Sequence, residues 1–295
     1  MTNTITSRIN FLARDPIYEH EKPYNLKFDP PKGQPYTNIK ADTRDTCIED
    51  IRGREQNFRM ETQGFAVLSL EDDGEEGTTM AYEDFDDRTK CQDVYCKQVA
   101  EGLKRMLGAS RVQIFEYVVR KRHAQFPVAT GEEYQFNQPT NTAHIDMTPA
   151  WAQETLHQMN PNEPLPSSRF QFVNVWKPLR GPVRDWPLAL CDPSTLSSSD
   201  LCSSDIVFEE QMIENYLVHS NDTQRWYYLS DQEASEAWVF LQADSRRTGN
   251  GKSRGVPHCS FLHPRSLESK WPRESIEVRA AVFFRELEMG DHRSN

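Results

Sequence analysis

The stretch NTAHIDMTP, residues 141–149, places a histidine and an aspartate one residue apart. Its residues are typical of a strand or strand end, where positions i and i+2 point to the same face. His144 and Asp146 can therefore aim at one point, and a metal ion is a group that both side chains can bind. A single His-x-Asp pair is common in unrelated surface loops, so the remaining sequence has to supply a third ligand and a substrate pocket.

The composition narrows the class of protein. The 295 residues carry a formal net charge of −11, which argues against binding to the phosphate backbone of nucleic acid or to an anionic membrane. No apolar stretch is long enough for a transmembrane helix, and the N-terminus lacks the apolar segment of a signal peptide. The six cysteines are scattered, which favours free thiols in a reducing compartment. We therefore expect a cytoplasmic protein.

The first half of the chain combines an extended arm with helices. Residues 1–60 are polar and contain prolines, so we predict an arm with edge elements. The apolar spacing from Cys91 predicts a helix that stops at Gly108, and Pro149 opens a second, short helix. The β-branched and aromatic run Arg111–Arg122 predicts a strand between them.

The second half is dominated by strand patterns. We also expect a serine-rich loop over residues 197–205 and a helix from Ile206 to Tyr216. Several short strands after a few helices, without β-α-β alternation, predict a mainly β fold with flanking helices, a β-sandwich or jelly roll. We predict one domain over residues 1–295, with its core at 61–285. The predicted strands are 169–178, 187–192, 224–231, 236–245 and 275–284.

A third metal ligand has to come from a histidine after Asp146. His157 lies in the short predicted helix, His219 beside a helix end and His292 in a polar tail, and none of these places suits a ligand. His258 and His263 remain, just before the last strong strand. Either of them would complete the two-histidine, one-carboxylate set of non-haem Fe(II) oxygenases, which leaves three metal positions open.

A carboxylate-binding pair follows in the segment PRES. Arg273 and Ser275 stand at i and i+2, so both can point to the same strand face. A guanidinium with a neighbouring hydroxyl can bind a carboxylate bidentately. A dicarboxylic keto acid such as 2-oxoglutarate could then chelate Fe(II) at one end and pair with Arg273 at the other.

Longer motifs carry a family resemblance. The segments NVWKPLRGPVRDWPLALCD, YYLSDQEASEAWVFLQADS, PHCSF and PRESIEVRAAVFF occur in order with HID. Together they resemble a fungal and bacterial family of gibberellin-desaturase-like proteins, the cephamycin-cluster methoxylation protein and hydroxylase/desaturase enzymes of fungal metabolite clusters. The resemblance covers about Tyr24 to Phe284. It implies a double-stranded β-helix (a cupin-like jelly roll) and Fe(II)/2-oxoglutarate-dependent dioxygenase activity in secondary metabolite biosynthesis.

The same resemblance assigns residues. His144 and Asp146 match the His-x-Asp pair, His258 in PHCSF matches the distal histidine, and Arg273 matches the co-substrate arginine. In other branches of the superfamily the arginine lies about ten residues after the distal histidine. His263 fits that spacing better than His258, but the family motif places the ligand at His258.

Further residues are candidates for binding roles. Asn174, on a predicted strand, could hydrogen-bond the co-substrate or be a buried polar residue with internal partners. Arg184 and Asp185 could clamp a charged substrate, although an ordinary loop ion pair is the simpler interpretation. Arg120 could reach the substrate from the early strand. The predicted substrate-binding residues are Arg279, Tyr117, Trp176 and Tyr134, the last in a loop that could close over the site.

We therefore expect an oxygenase that uses Fe(II), 2-oxoglutarate and O₂ to oxidise a small molecule, as a monomer or homodimer. Hydroxylation, desaturation and oxidative ring closure are all open. The family includes an enzyme that closes an aziridine ring on an amino acid. One alternative is a catalytically inactive small-molecule-binding protein of the same fold, although every expected ligand is present. A zinc hydrolase is a third reading, but no general base accompanies the His-x-Asp pair.

Overall fold

The computed structural model describes residues 3–70, 80–128, 134–246 and 255–285, and His292 lies outside these ranges. Its strands, in chain order, are β1 (Thr4–Leu12), β2 (Tyr24–Leu26), β3 (Ala41–Asp50), β4 (Phe65–Ser69), β5 (Arg111–Lys121), β6 (His144–Ile145), β7 (Phe170–Pro178), β8 (Leu188–Cys191), β9 (Leu201–Val207), β10 (Met212–Val218), β11 (Trp226–Tyr228), β12 (Glu236–Asp244), β13 (His258–Ser260) and β14 (Glu274–Phe283).

The helices are short. A turn of α1 (Arg88–Lys90) continues through a π-helical turn (Cys91–Tyr95) into α2 (Cys96–Leu107), and α3 (Pro149–Met159) follows β6. Gly108 ends α2 in the left-handed conformation, at φ 64°, as the sequence predicts. Single 3₁₀ turns occupy Pro16–Glu19, Glu55–Asn57, Tyr82–Asp86, Pro193–Thr195, Ser198–Asp200 and Ser266–Glu268.

Within the described ranges the strands form two sheets. The larger has the order β1-β3-β11-β8-β13-β6-β10-β9-β2, and the smaller has the order β4-β12-β7-β14-β5. Strands β5, β7, β12 and β14 lie in the smaller sheet, and β6, β8, β11 and β13 lie in the larger one, so the chain winds back and forth between them. This winding confirms the predicted double-stranded β-helix core.

The central strands of the smaller sheet, β7, β12 and β14, are buried on both faces. All nine residues of β7 are buried, although its sequence alternates polar and apolar side chains. Val99 and Leu103 of α2 join the same buried cluster as Val278 and Val282 of β14, so α2 covers the outer face. Of the polar residues of β7, Asn174 points into the space between the sheets, toward Asp146, whereas Lys177 lies against Phe85 and Tyr95 on the outer face.

Two expectations differ from the structure. The predicted helix over Ile206–Tyr216 is wrong, because these residues form the β9–β10 hairpin, whose tight turn Phe208–Gln211 contains neither glycine nor proline. The serine-rich segment likewise enters a 3₁₀ turn and β9 instead of a loop. In the N-terminal arm, β1 and β3 pair over nine residues, and β3 is an internal strand of the larger sheet.

Candidate metal centre

Two short strands bring the histidines together. β6 and β13 pair antiparallel with His144 directly opposite His258, and the two ring centroids lie 4.3 Å apart. The chain continues from β6 into Asp146, whose Oδ1 lies 3.3 Å from His144 Nε2 and 3.9 Å from His258 Nε2. The three potential ligand atoms all lie within 4.8 Å of one another. The three ligand atoms are therefore close enough together to bind one metal ion.

Backbone contacts fix the tautomer of each imidazole. His144 Nδ1 lies 2.7 Å from Thr142 O, and His258 Nδ1 lies 3.1 Å from Val256 O. A carbonyl oxygen only accepts, so each Nδ1 must carry the hydrogen and each Nε2 keeps its lone pair. Both lone pairs face Asp146, which is the arrangement that a metal-ligating histidine requires.

The electrostatics of the cluster favour ligation. Burial, reinforced by the neighbouring His144, lowers the pKa of His258 to about 3, so its ring is neutral. Burial alone would raise the pKa of Asp146, but the Arg279 charge and the two histidines outweigh it and hold that pKa well below its usual range. A neutral His258 imidazole and an ionised Asp146 carboxylate are thus available as ligands at neutral pH.

The second oxygen of Asp146 has its own partners. Asn174 Nδ2 donates to Oδ2 at 2.5 Å, and Arg279 Nη2 lies 3.3 Å from the same atom. Arg279 also pairs with Glu116 at 2.7 Å and with Glu277 at 3.2 Å. Asn174 and Arg279 therefore orient the carboxylate and leave Oδ1 toward the histidines.

A bulge in β12 supplies a further contact. The register of β12 against β7 shifts between Leu241 and Ala243, and the intervening Gln242 is fully buried. Its Oε1 accepts from Asp146 N at 2.8 Å, whereas its Nε2 has no partner among the described residues. Gly255 fits tightly beside it, because an added Cβ would lie 2.6 Å from Gln242 O and 2.7 Å from Ile145 Cγ2.

A pocket with unpaired donors lies at the start of β14. Arg273 and Ser275 are 3% and 1% exposed, and Arg273 Nε and Ser275 Oγ lack partners among the residues described. The Arg273 guanidinium lies 4.9 Å from the ring centroid of Trp176, whose Nε1 is also unpaired. Buried donors without acceptors indicate a missing acceptor, and a carboxylate has four lone-pair sites.

The arginine itself is held from two sides. Its Nη1 donates to Trp186 O at 2.7 Å. The backbone of Trp186 is in the left-handed region, at φ 46°. Asp185 Oδ2 accepts from Arg273 N at 2.7 Å and from Arg122 Nε at 2.5 Å. Burial and the Arg120 charge lower the pKa of Arg273 to about 9, so it remains a cation at neutral pH.

Other predicted residues lie elsewhere. The Tyr117 hydroxyl donates to Arg88 O on the outer face, away from the metal cluster. Tyr134 lies in a loop with its ring 4.7 Å from that of His123. His263 is buried with Nε2 3.4 Å from the Tyr228 hydroxyl and Nδ1 accepting from Arg265 N, so the structure does not bring it to the cluster.

Two residues of this region, Gln242 and Asn215, escaped the sequence prediction. Gln242 stands out in VFLQAD only as a polar residue in an apolar strand. Asn215 on β10 is buried with an unpaired Oδ1, and Thr148 N–H donates to the adjacent Glu214 O, so β10 runs beside the Asp146 segment. Asp185 was considered as part of a substrate clamp, but it anchors Arg273. Arg184 instead pairs with Asp231.

A His-Asp-His cluster between the sheets of a double-stranded β-helix defines the class of non-haem iron oxygenases. The donor set fits Fe(II), since two imidazoles and one carboxylate are the three protein ligands that such an ion takes in this class. The neighbouring cationic pocket fits the free carboxylate of a keto acid. Within the described ranges, no helix combines the length and apolar character needed to cross a bilayer.

Comparison with known proteins gives the family. Residues 9–283 match the family model described as oxidoreductase/YMDC permease-like domain. The Fe(II)/2-oxoglutarate-dependent dioxygenase nvfI of Aspergillus novofumigatus is 32% identical over 281 residues, which cover 94% of this chain and 96% of that protein. The hydroxylase/desaturase CTB9 of Cercospora beticola is 29% identical over 307 residues, with 94% and 90% coverage.

A solved structure agrees with this result. The iron and alpha-ketoglutarate-dependent endoperoxidase NvfI superimposes with a TM-score of 0.80 at 30% identity, covering 95% of this chain and 98% of that one. The chain therefore belongs to the family of Fe(II)/2-oxoglutarate-dependent dioxygenases. It is an oxidoreductase that uses Fe(II), 2-oxoglutarate and O₂ on a small molecule, and the predicted family resemblance is confirmed.

Proposed function

We propose that His144, Asp146 and His258 are the three protein ligands of Fe(II), and that Arg273 and Ser275 bind the distal carboxylate of 2-oxoglutarate. The observation that carries the proposal is the convergence of the three ligand atoms within 4.8 Å, from segments more than a hundred residues apart. The unpaired Arg273 Nε and Ser275 Oγ support the second part.

Bound Fe(II), 2-oxoglutarate and O₂ would together supply the oxidant that removes hydrogen from a substrate carbon. The chain's own residues prepare the site for it. The backbone oxygens of Thr142 and Val256 hold both imidazoles with Nε2 inward. Asn174 and Arg279 keep one carboxylate oxygen of Asp146 occupied, so the carboxylate binds through the other. This arrangement leaves open metal positions for chelation by the co-substrate.

We propose that the reaction is hydroxylation, desaturation or oxidative ring closure of a small metabolite. Relatives whose names are hydroxylase/desaturase and endoperoxidase support this range of outcomes. Gln242 Nε2 and Asn215 Oδ1 are buried beside Asp146 without a partner among the described residues, which supports a substrate with polar groups. Trp176 would separate the substrate from the co-substrate. Arg279 would orient the metal ligand Asp146 and would not bind the substrate.

We also propose that residues 1–295 act as one oxygenase domain in the cytoplasm, as a monomer or homodimer. The pairing of β3 with β11 joins the N-terminal arm to the core, which supports a single unit. All six cysteines are free, which suits a reducing compartment.

The test is succinate formation from 2-oxoglutarate by Fe(II)-loaded protein, screened with candidate metabolites and amino acids. His144→Ala and Asp146→Ala are expected to lose substrate-stimulated succinate formation while circular dichroism shows a retained fold. Full activity of Asp146→Ala in buffer without added anions would contradict the ligand assignment.

A further inference from the structure

Arg120 lies beside the co-substrate pocket on the neighbouring strand. In the β5–β14 register Arg120 is directly opposite Ser275, and cross-strand partners share one face of the sheet. The pairing continues beyond β14, because Arg122 N donates to Arg273 O at 2.9 Å. Arg120 is thus the diagonal neighbour of Arg273, with the Ser275 hydroxyl between them.

Two of the neighbouring arginines have carboxylate partners. Arg122 pairs with Asp185, and Arg279 pairs with Glu116, Glu277 and Asp146. In the part of the chain that the structure describes, the guanidinium groups of Arg120 and Arg273 have no carboxylate partner. Each donates only to a backbone oxygen, Arg120 Nη1 to Gln138 O at 2.8 Å and Arg273 Nη1 to Trp186 O.

The two guanidinium groups also interact electrostatically. After burial, the Arg120 charge is the next largest factor that lowers the pKa of Arg273. Arg273 is buried, so a like charge beside it is unfavourable unless an anion binds between the two guanidinium groups. One carboxylate offers enough lone pairs for both guanidinium groups and the hydroxyl.

We propose that Arg120 is the second guanidinium of the co-substrate site, so that the distal carboxylate of 2-oxoglutarate binds between Arg120 and Arg273. This inference rests on the proposed function, which places that carboxylate on Arg273 and Ser275. It assigns Arg120 to binding of the keto acid and not to the substrate, and it makes the site selective for keto acids with a second carboxylate.

The experiment compares two keto acids by anaerobic isothermal titration calorimetry on the Fe(II)-loaded protein. 2-Oxoglutarate has the distal carboxylate, whereas 2-oxobutyrate lacks it and keeps the chelating end. Arg120→Gln retains donors for Gln138 O but loses the charge, and Arg120→Lys retains the charge but loses the planar fork. Lys121→Gln is the matched control, since it removes one charge from the next residue of β5, on a side chain that pairs with Asp86.

We expect Arg120→Gln to raise the Kd of 2-oxoglutarate about tenfold or more, as for a lost charge-assisted hydrogen bond, and to leave the Kd of 2-oxobutyrate within about twofold. Arg120→Lys should show a smaller rise, and Lys121→Gln should change neither Kd. An equal change for both acids would show that Arg120 only tethers the Gln138 loop, and an unchanged Kd for 2-oxoglutarate would place Arg120 outside the clamp. Either result overturns the inference.

Arg273→Gln separates this inference from the proposed function. If Arg273→Gln weakens 2-oxoglutarate binding but Arg120→Gln does not, only the role of Arg120 fails. If neither variant weakens it, the proposed co-substrate site fails as well.

Discussion

The side-chain amide of Asn174 and the carboxylate of Asp146 are joined by a hydrogen bond of 2.5 Å from Nδ2 to Oδ2. Asn174 lies on β7 of the smaller sheet, and Asp146 follows β6 of the larger sheet, so this contact links the two sheets at the metal cluster. It leaves Oδ1 as the oxygen that faces His144 and His258. The orientation of the carboxylate thus depends on a residue that is not itself one of the three candidate ligands.

Asn174→Ala is expected to raise the Kd of Fe(II) by about 10- to 100-fold, because a metal ligand that loses its orienting partner binds less well. Anaerobic metal titration measures it. Gln171→Ala is the matched control, since Gln171 on the same strand donates to Asp244 at 3.0 Å and not to the cluster. An equal rise in the Kd of Fe(II) in the two variants would indicate a general effect on β7 instead of a specific effect on Asp146.

Gly255→Ala should destabilise the fold and weaken Fe(II) binding together. The added Cβ would lie within 2.7 Å of Gln242 O and Ile145 Cγ2, so the segment leading to His258 must shift. Overpacking of this kind costs about 1–3 kcal/mol. Chemical denaturation and metal titration provide the two readouts. Gly102→Ala is the control, because its added Cβ would meet the flexible Leu68 Cδ2 at 3.1 Å, and it should leave Fe(II) binding intact. If Gly102→Ala weakens Fe(II) binding as much as Gly255→Ala does, the argument from Gly255 is wrong.

Asp185→Asn should both destabilise the protein and weaken 2-oxoglutarate binding. Asp185 is buried and holds Arg122 and the backbone of Arg273, and removal of one partner of a buried ion pair costs about 3–5 kcal/mol. Asp231→Asn breaks the more exposed pair with Arg184, for which at most about 1 kcal/mol is expected. Urea denaturation and calorimetry with the keto acid measure both effects. A larger loss of unfolding free energy in Asp231→Asn than in Asp185→Asn would contradict this prediction.

Lys177 predicts a pH dependence of stability. Its ammonium is buried below the rings of Phe85 and Tyr95 and donates to Ala234 O, and burial lowers its pKa from 10.5 to about 8. Between pH 8 and 10.5 the unfolded chain binds more protons, so the free energy of unfolding rises with pH, by up to about 3 kcal/mol. Below pH 8 both states are protonated and this contribution is flat.

Lys177→Met should remove that rise, which denaturation curves between pH 7 and 10 would measure. Lys97→Met, at an exposed position of α2, should retain the wild-type slope. A Lys177→Met protein with an unchanged slope would show that another group causes the pH dependence.

Short-range periodicity explains what the sequence could predict. His144 and Asp146, and likewise Arg273 and Ser275, share a face because alternation along a strand requires no tertiary information. The same alternation could have indicated that Glu277 shares a face with Arg279, to which it is bonded. The distal ligand required the family motif, since spacing alone left His258 and His263 open.

Tertiary irregularities explain what remained hidden. The bulge at Gln242 turns a polar side chain toward Asp146, and no local pattern marks where a strand gains a residue. The turn Phe208–Gln211 lacks the usual turn residues, which is why the β9–β10 hairpin resembled a helix. Asn174 and Arg279 contact Asp146, which follows β6, and Arg279 also pairs with Glu116 of β5, so these contacts depend on sheet register.

The central claim is tested most directly by the Fe(II) stoichiometry of two histidine variants, measured by anaerobic titration after removal of bound metal. We predict one Fe(II) per chain for the wild-type protein and for His263→Ala, whose side chain contacts Tyr228 away from the cluster. We predict loss of that binding for His258→Ala, with the fold retained by circular dichroism. Retained stoichiometric binding in His258→Ala, or its loss in His263→Ala, would contradict the assigned iron site.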